Sequence, residues 1–196
     1  MSYRIEEKIL LNKDSHIMIS NFLKKNSAQI LYNDRKVESI YFDNRSFQMH
    51  KDSEEGIVPR KKIRIRSYSD SKKKNLEKKI SSVEGRFKTS LEINDNSFDC
   101  FIKSGYFDKE YGFCFPVVEV SYIRSYLQVF SKRITIDKDI KFIDYRFKNQ
   151  IQIDQNILEI KTDKNDSIDS LNYLFPFKRS RFSKYSEAIK KLKIKN

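Results

Sequence analysis

The sequence lacks several residues on which common active sites depend. Its 196 residues contain no tryptophan, two cysteines, two histidines, three prolines and four glycines. The glycines form neither a P-loop nor a dinucleotide-binding fingerprint, and no serine lies in a nucleophile-elbow pattern. His16 and His50 are expected at structural or solvent-facing positions. The familiar nucleotide-binding loops are thereby excluded, and a nucleophilic triad has no support.

Membrane and secretion signals are also missing. Mean hydropathy is −0.70, and no stretch approaches the roughly 18 apolar residues of a membrane-spanning helix. The first residues, MSYRIEEKILL, show no apolar signal region followed by a cleavage site. Cys100 and Cys114 provide neither a disulfide framework nor paired-cysteine zinc spacing. We expect a cytoplasmic protein without a transmembrane segment, and a single domain over residues 1–196, because no Pro- or Gly-rich linker interrupts the chain.

The charge is strongly biased towards basic residues. Lysine and arginine number 40 against 27 aspartates and glutamates, which gives a formal net charge of +13. This balance indicates an anionic partner, such as nucleic acid, an acidic membrane surface or a small polyanion. A generic basic surface is equally compatible with the composition.

Alternation of apolar and polar residues is the dominant pattern along the chain. It predicts strands over 3–11, 36–43, 60–68, 75–81, 86–92, 117–126, 132–137, 140–145 and 157–162. Helical spacing predicts a helix capped by Asp14 or Ser15, a short helix over 96–104, and a last helix capped by Ser183. The chain is therefore predicted to be α+β and mostly β, with a solvated hairpin tip at 69–75.

The polar face of these strands carries charges at regular two-residue spacing. In one predicted strand, Lys62, Arg64 and Arg66 alternate with Ile63 and Ile65. The same spacing recurs in other strands, where a carboxylate often lies two residues from a cation. The residues concerned are Glu6, Lys8, Glu77, Lys79, Arg86, Lys88, Arg133, Thr135, Asp137, Glu159 and Lys161. Because side chains alternate strictly in a strand, each set projects to one side of its sheet.

Two arrangements satisfy this pattern, and the pattern alone leaves both open. Either the charged faces lie outside a normal apolar core, or the sheet closes with its charged face inward and helices cover the apolar face. Amphipathic helices favour the second arrangement, because they need an apolar sheet face for packing. Cations in a confined space raise one another's energy, so such a ring favours a polyanionic ligand. Phosphate chains suit arginine and lysine best, and the neighbouring carboxylates indicate a metal site.

The order of short motifs along the chain resembles the VTC domain, the catalytic domain of polyphosphate polymerases within the triphosphate tunnel metalloenzyme superfamily. The motifs are Y-R-I-E-E-K at 3–8, Y-F-D at 41–43, E-G-I-V-P-R-K-K-I-R-I-R-S-Y at 55–68, L-E-K-K at 76–79, P-V-V-E-V-S-Y-I-R at 116–124, R-I-T-I-D at 133–137, L-E-I-K at 158–161 and F-S-K-Y at 182–185. They cover nearly the whole chain in the family's order. The resemblance implies a closed antiparallel eight-stranded tunnel barrel with a charged interior and a few flanking helices.

The resemblance also implies roles for individual residues. Lys8, Arg64 and Arg66 would contact the phosphates as catalytic residues, and Glu159 would be catalytic and hold a manganese or magnesium ion. The predicted substrate-binding residues are Lys62, Lys79, Lys88, Arg124, Arg133, Lys161, Ser183 and Lys184. Physical reasoning independently favours an anion at the last two, because a helix start offers free amide donors and the positive end of its dipole.

The first strand departs from the E-x-E-x-K pattern of the family's triphosphatase branch. Arg4 stands in place of one acidic metal ligand, which favours the polymerase branch and leaves Glu6 as a further metal candidate. Arg4 would instead contact phosphate or form a structural ion pair.

The function implied by the resemblance is transfer of the γ-phosphate of ATP to a growing polyphosphate chain, with release of ADP. The attacking oxygen of the chain end is already anionic, so no strong general base is needed. The alternatives are an inorganic or nucleoside triphosphatase in the same tunnel and a non-catalytic module that binds polyphosphate. Nucleic acid is not expected as a partner, because neither an RNA-recognition signature nor a row of stacking aromatics accompanies the cations.

Overall fold

A computed structural model describes residues 5–162 and 167–194. Arg4 and the start of the predicted strand 3–11 lie outside these described residues. Within them the chain forms ten strands and five helices. The strands are β1 (Ile5–Leu11), β2 (Gln29–Asp43), β3 (Arg60–Tyr68), β4 (Ser71–Ser82), β5 (Gly85–Ile93), β6 (Tyr106–Asp108), β7 (Gly112–Val129), β8 (Lys132–Asp144), β9 (Gln150–Ile153) and β10 (Asn156–Thr162). The helices are α1 (Lys13–Lys25), α2 (Gln48–Glu55), α3 (Asp95–Ser104), α4 (Ile168–Leu174) and α5 (Lys184–Lys191).

Side-chain caps explain where the helices begin. The N-cap of α1 is Asn12, whose side chain accepts a hydrogen bond from Ser15 N at 2.8 Å. The predicted cap at Asp14 or Ser15 is therefore wrong, because asparagine one turn earlier already satisfies the exposed amide. Ser183 caps α5 as predicted, and its hydroxyl accepts from Ser186 N.

Several strands are longer than the alternation predicted. β8 includes both predicted strands 132–137 and 140–145 in one element. Asp139 in its middle has a φ of +52°, in the left-handed region, and this breaks the two-residue alternation on which the prediction depended. Helices α2 and α4 and the short strands β6 and β9 were not among the predicted elements.

The chain forms two compact units, and three long strands contribute to both. Unit one consists of Met1–Arg35, Tyr122–Ile140 and Ile153–Phe182. Unit two consists of Lys36–Ser121, Lys141–Gln152 and Ser183–Asn196. The expectation of a single domain over 1–196 stays a prediction.

Hydrogen-bonded neighbours follow the order β1-β10-β8-β7-β2-β3-β4-β5, with β6 on β7 and β9 on β8. β1 and β5 end this order, and no ladder joins them among the described residues. The mostly-β α+β class is confirmed. The prediction that eight strands form a closed barrel is wrong, because the strand order is open. A closed barrel needs its two edge strands to pair, whereas β5 is an edge with mostly exposed side chains.

The apolar strand faces of unit one pack against α1 and α4. Their buried core comprises Ile9, Leu11, Ile19, Leu23, Val129, Ile134, Ile136, Leu158, Ile160, Leu171 and Phe175. In β1, β8 and β10 these residues alternate with the charged ones, so the two faces of the strands differ in character. Helices therefore cover the apolar face of this unit, which is the second of the two arrangements that the sequence pattern left open.

Unit two also has an apolar core of its own. The buried members are Phe42, Met49, Ile63, Ile65, Leu76, Ile93, Tyr111 and Cys114. Phe98, Phe101 and Ile102 of α3 pack against them. Burial in this apolar surrounding raises the pKa of the Cys114 thiol to about 12, with Asp43 and Asp108 adding to the effect. Cys114 is thus a packing thiol, whereas Cys100 is exposed.

Candidate functional site

The polar face of unit one aligns residues from three strands in one row. Lys8 on β1 lies opposite Glu159 on β10, and Glu159 lies opposite Thr135 on β8. Directly opposed side chains of antiparallel strands lie on the same face. Lys8 Nζ donates to the carbonyl of Phe182 at 2.8 Å, and Glu159 and Thr135 are buried. The predicted first-strand lysine and the predicted metal ligand are therefore neighbours.

A second row runs beside the first. Glu6 lies opposite Lys161, and Lys161 lies opposite Arg133. Lys161 Nζ is 3.7 Å from Glu159 Oε1. Burial lowers the pKa of Lys161, although the carboxylate of Glu159 acts in the opposite direction. Arg133 Cζ lies 5.5 Å from the centre of the Tyr126 ring.

Arg124 of unit one forms a buried two-point ion pair with Asp137. Its Nε and Nη2 donate to the two carboxylate oxygens at 2.6 and 2.8 Å, a geometry that strengthens charge-assisted hydrogen bonds. Burial by itself lowers the pKa of Arg124, but Tyr122 and Asp137 outweigh it and leave the pKa raised. The guanidinium is thus permanently charged and fixed in place.

The polar face of unit two carries a row of three lysines. Lys62 on β3 lies opposite Lys79 on β4, and Lys79 lies opposite Lys88 on β5. Like charges directly opposed across strands are unfavourable, and an anion bound between them relieves the repulsion. In the adjacent row, Arg64 lies opposite Glu77.

Glu77 is the shared partner of the cations in unit two. Arg64 reaches its Oε2 from Nε at 2.7 Å and from Nη2 at 2.6 Å, and Arg66 Nη1 lies 3.7 Å away. Lys88 Nζ contacts the other carboxylate oxygen. Burial alone would raise the pKa of Glu77, but Arg64, Arg66 and Lys88 lower it to about 2. The carboxylate is therefore ionised at neutral pH. It holds close together three side chains that the sequence predicts to bind phosphate.

Hydroxyl groups of β2 hold the two arginines from the other side. Arg64 Nη1 donates to Tyr41 Oη at 2.9 Å, and Arg66 Nε donates to Ser39 Oγ at 3.1 Å. Burial tends to raise the pKa of Tyr41, but Arg64, Arg66 and Lys184 together leave it lowered. The predicted residue Lys184, the first of α5, thus belongs to the same electrostatic environment.

The start of α5 is fixed by contacts on both sides. Lys62 Nζ donates to Ser183 Oγ at 2.8 Å. Tyr185 Oη donates to Asp43 at 2.6 Å, and its ring stacks on Tyr41 with centroids 5.3 Å apart. The predicted Ser183 therefore lies against the lysine row of unit two.

Glu159 is the described residue at which a divalent cation would fit, provided that phosphate shares its coordination. The described residues contain no group of three or more histidine, cysteine, aspartate or glutamate side chains that could hold an ion. Glu159 offers the hard oxygen that Mg²⁺ and Mn²⁺ prefer, and phosphate oxygens and waters commonly complete their coordination. Thr135 Oγ1, buried opposite Glu159, has no hydrogen-bond partner in the described part of the chain. Glu6 as a second ligand stays a prediction.

The structure thus distributes the predicted residues between the two units. Unit one carries Glu6, Lys8, Arg124, Arg133, Glu159 and Lys161, and unit two carries Lys62, Arg64, Arg66, Lys79, Lys88, Ser183 and Lys184. Sequence reasoning did not assign a site role to Glu77, Asp137, Thr135, Tyr41 or the Asp43–Tyr185 pair. For Glu77, Thr135 and Asp137 a signal was present, because each shares the parity of the cations on its own strand.

Comparison with known proteins gives a family and a fold for this chain. The VTC domain family model matches residues 3–113 and 106–193. No helix of the described residues is both long and apolar enough to cross a membrane. A search of curated proteins found no match.

Solved structures with the same fold share little sequence with this chain. A candidate adenylate cyclase from Bacillus halodurans has a TM-score of 0.62 at 12% identity, covering 93% of this chain and 94% of that one. A candidate adenylate cyclase from Vibrio parahaemolyticus has a TM-score of 0.59 at 15% identity, with 96% and 98% covered. A candidate adenylyl cyclase from Hippeastrum, described as having a dominant triphosphatase activity, has a TM-score of 0.60 at 15% identity, with 97% and 96% covered. The fold of these proteins and the family match over nearly the whole chain agree, and the chain belongs to the VTC domain family.

Proposed function

We propose that this protein is a cytoplasmic, metal-assisted polyphosphate polymerase that transfers the γ-phosphate of ATP to a growing polyphosphate chain and releases ADP. Membership of the VTC domain family supports an enzyme that acts on triphosphates. The observation that carries the proposal is the clustering of cations on one polar strand face of each unit, each cluster organised around a buried carboxylate. A generic basic surface does not require such burial or such shared partners.

The residues of unit two would bind and orient phosphate groups. Arg64 and Arg66 present fork-shaped donors that match phosphate oxygens, and Glu77 keeps the two guanidinium groups aligned. Lys62, Lys79 and Lys88 would add point charges, and binding of an anion would remove the repulsion within their row. Ser183 and Lys184 would supply a hydroxyl, an ammonium group and the N-terminal end of α5.

The residues of unit one would bind phosphate beside the divalent cation. Glu159 would hold a Mn²⁺ or Mg²⁺ ion, which supplies Lewis-acid stabilisation of charge on the phosphate oxygens. Lys8 and Lys161 lie next to Glu159 and would contact the same phosphates. Arg124 and Arg133 would contribute further positive charge, and Asp137 orients Arg124.

The proposed reaction needs little protein-side acid–base chemistry. The bond between the γ-phosphorus and the bridging oxygen of ATP breaks, and a bond forms from the terminal oxygen of the polyphosphate chain to that phosphorus. ADP leaves with the bridging oxygen, and the chain grows by one phosphate. The attacking oxygen carries its own negative charge, so positioning and charge stabilisation supply most of the catalysis.

A triphosphatase is the second candidate function. It is favoured by the structural similarity to the Hippeastrum protein, which is described as having a dominant triphosphatase activity. In that case water replaces the chain end as nucleophile, and inorganic phosphate is the product. A non-catalytic module that binds polyphosphate is the third reading.

Incubation with ATP and Mn²⁺, followed by gel electrophoresis of the products, distinguishes the three candidate functions. We expect long polyphosphate chains from the wild-type protein, strong loss of product in Glu159→Gln, and reduced product in Lys79→Met. Lys72→Met is the matched control, because Lys72 is an exposed lysine of the same strand and its removal lowers the net charge equally. Inorganic phosphate without chains would support the triphosphatase, and no turnover would support the binding module.

A further inference from the structure

Thr135 carries a buried hydroxyl that the protein itself does not satisfy. It lies in β8 and is 0% exposed. Its Oγ1 has no hydrogen-bond partner within residues 5–162 and 167–194. Buried side-chain hydroxyls in folded proteins nearly always have a partner, and an unpartnered one destabilises the free protein. Valine has almost the same shape as threonine and would avoid this cost, so the presence of threonine calls for an explanation.

The neighbours of Thr135 are the groups to which we assign substrate binding. Glu159 is directly opposite on β10, and Lys8 is opposite Glu159 on β1. Two residues along β8, Arg133 lies beside Lys161 in the adjacent row. The hydroxyl therefore lies on the polar face, among a carboxylate and several cations. A hydroxyl donates one hydrogen bond and accepts two, so it can serve a phosphate oxygen or a metal-bound water equally well.

We propose that Thr135 is a further ligand-binding residue, whose hydroxyl forms a hydrogen bond with an oxygen of the metal–triphosphate complex held beside Glu159. This inference rests on the proposed function, because it needs a phosphate ligand on the polar face of unit one. The hydroxyl would lack a partner in the free protein and acquire one when the ligand binds. Its contribution would therefore appear only in the bound state.

Thr135→Val tests this proposal because it removes the hydroxyl and leaves the shape unchanged. In the free variant we expect an unchanged or higher melting temperature, by up to about 4 °C, because a buried polar group without a partner has been removed. For tripolyphosphate in the presence of Mn²⁺ we expect affinity about three- to tenfold weaker, the usual effect of losing one hydrogen bond. Thr135→Ser keeps the hydroxyl and should keep the wild-type affinity.

Thr162→Val provides a matched control on the neighbouring strand. Thr162 is 2% exposed and lies on the opposite parity of β10 from Glu159, and it does have an interaction partner. Its replacement should leave the affinity for tripolyphosphate unchanged. A binding effect seen in Thr135→Val and absent from Thr162→Val therefore belongs to the polar face.

The measurement is the melting temperature of the full chain, titrated with tripolyphosphate alone, Mn²⁺ alone, and both together. Weaker tripolyphosphate binding by Thr135→Val with and without Mn²⁺ would identify a phosphate oxygen as the partner. Weaker binding only when Mn²⁺ is present would identify a metal-bound oxygen. Wild-type affinity in Thr135→Val under all three conditions would overturn the inference. A wild-type protein that shows no shift with any ligand would contradict the proposed function instead.

Discussion

Arg64 and Glu77 face each other across β3 and β4, and two guanidinium nitrogens of Arg64 donate to one carboxylate oxygen of Glu77 at 2.7 and 2.6 Å. The same carboxylate also interacts with Arg66 and Lys88. Cations that would repel one another are thus stabilised in the free protein by a single buried anion. Glu77 is therefore a positioning residue for the side chains that we propose bind phosphate.

The first prediction concerns acid stability. The pKa of Glu77 is lowered from 4.5 to about 2 in the folded protein, so its contribution to stability is complete above pH 4.5 and is lost as pH falls towards 2. Glu77→Gln should reduce the free energy of unfolding at pH 7 by about 3 kcal/mol, and its difference from the wild type should shrink between pH 4.5 and 2. Urea unfolding at several pH values measures this. Glu84→Gln, at an exposed turn residue, is the control, and an equal effect in both variants would contradict the role of Glu77.

The second prediction concerns the fork geometry of Arg64. Arg64→Lys keeps the positive charge but loses the simultaneous contacts with Glu77 and Tyr41. Affinity for tripolyphosphate should fall about tenfold, since lysine binds phosphate as a point charge and not through two aligned donors. Calorimetric titration measures the affinity, with Arg45→Lys at an exposed residue of the same unit as control. Wild-type affinity in Arg64→Lys would show that charge alone matters at this position.

The third prediction concerns the pH dependence of binding. Burial lowers the pKa of Lys161 below its usual 10.5, so the free protein loses this proton at a lower pH than an ordinary lysine. A bound phosphate favours the charged form, and affinity should therefore fall with rising pH before pH 10.5 is reached. Lys161→Arg remains charged throughout this range. Titrations between pH 7 and 10.5 should show a weaker pH dependence in this variant, and identical profiles would contradict a phosphate contact by Lys161.

The fourth prediction concerns the attachment of α5. Asp43 is 1% exposed and accepts hydrogen bonds from Tyr185 Oη and from the backbone amides of Met49 and His50. Tyr185→Phe should lower the free energy of unfolding by about 1–3 kcal/mol, because a buried carboxylate loses a strong donor. Urea unfolding measures the loss, and Tyr173→Phe, at a tyrosine that is 87% exposed, should show none. Equal stability of the Tyr185 variant and the wild type would contradict a role of this hydrogen bond in attaching α5.

Much of this architecture could be predicted from the sequence. The parity of charges in β3, β4 and β10 identified the polar faces, and the amphipathic pattern of α1 indicated the helix layer over an apolar face. These signals are strong because two-residue and helical periodicities follow directly from backbone geometry. The same periodicity divided β8 into two predicted strands, because the polar residues Lys138 and Asp139 interrupt the alternation, and Asp139 has a left-handed φ of +52°.

Other features depended on tertiary contacts and could not be read from the sequence. Alternation says which residues share a face, but not which strands end the sheet, so the open strand order was missed. The roles of Glu77 and Asp137 require knowledge of which cation lies across from each carboxylate. The Asp43–Tyr185 hydrogen bond joins residues far apart in sequence, and no local pattern predicts it.

The central claim is that the protein extends a polyphosphate chain with the γ-phosphate of ATP. Its most direct test is ³¹P NMR of a reaction that contains the protein, ATP and Mg²⁺, since paramagnetic Mn²⁺ would broaden the phosphate signals. The account predicts that mid-chain phosphate signals grow in step with ADP, while orthophosphate stays low, and that Glu159→Gln abolishes the growth. Orthophosphate rising in step with ADP, with no mid-chain signal, would contradict it.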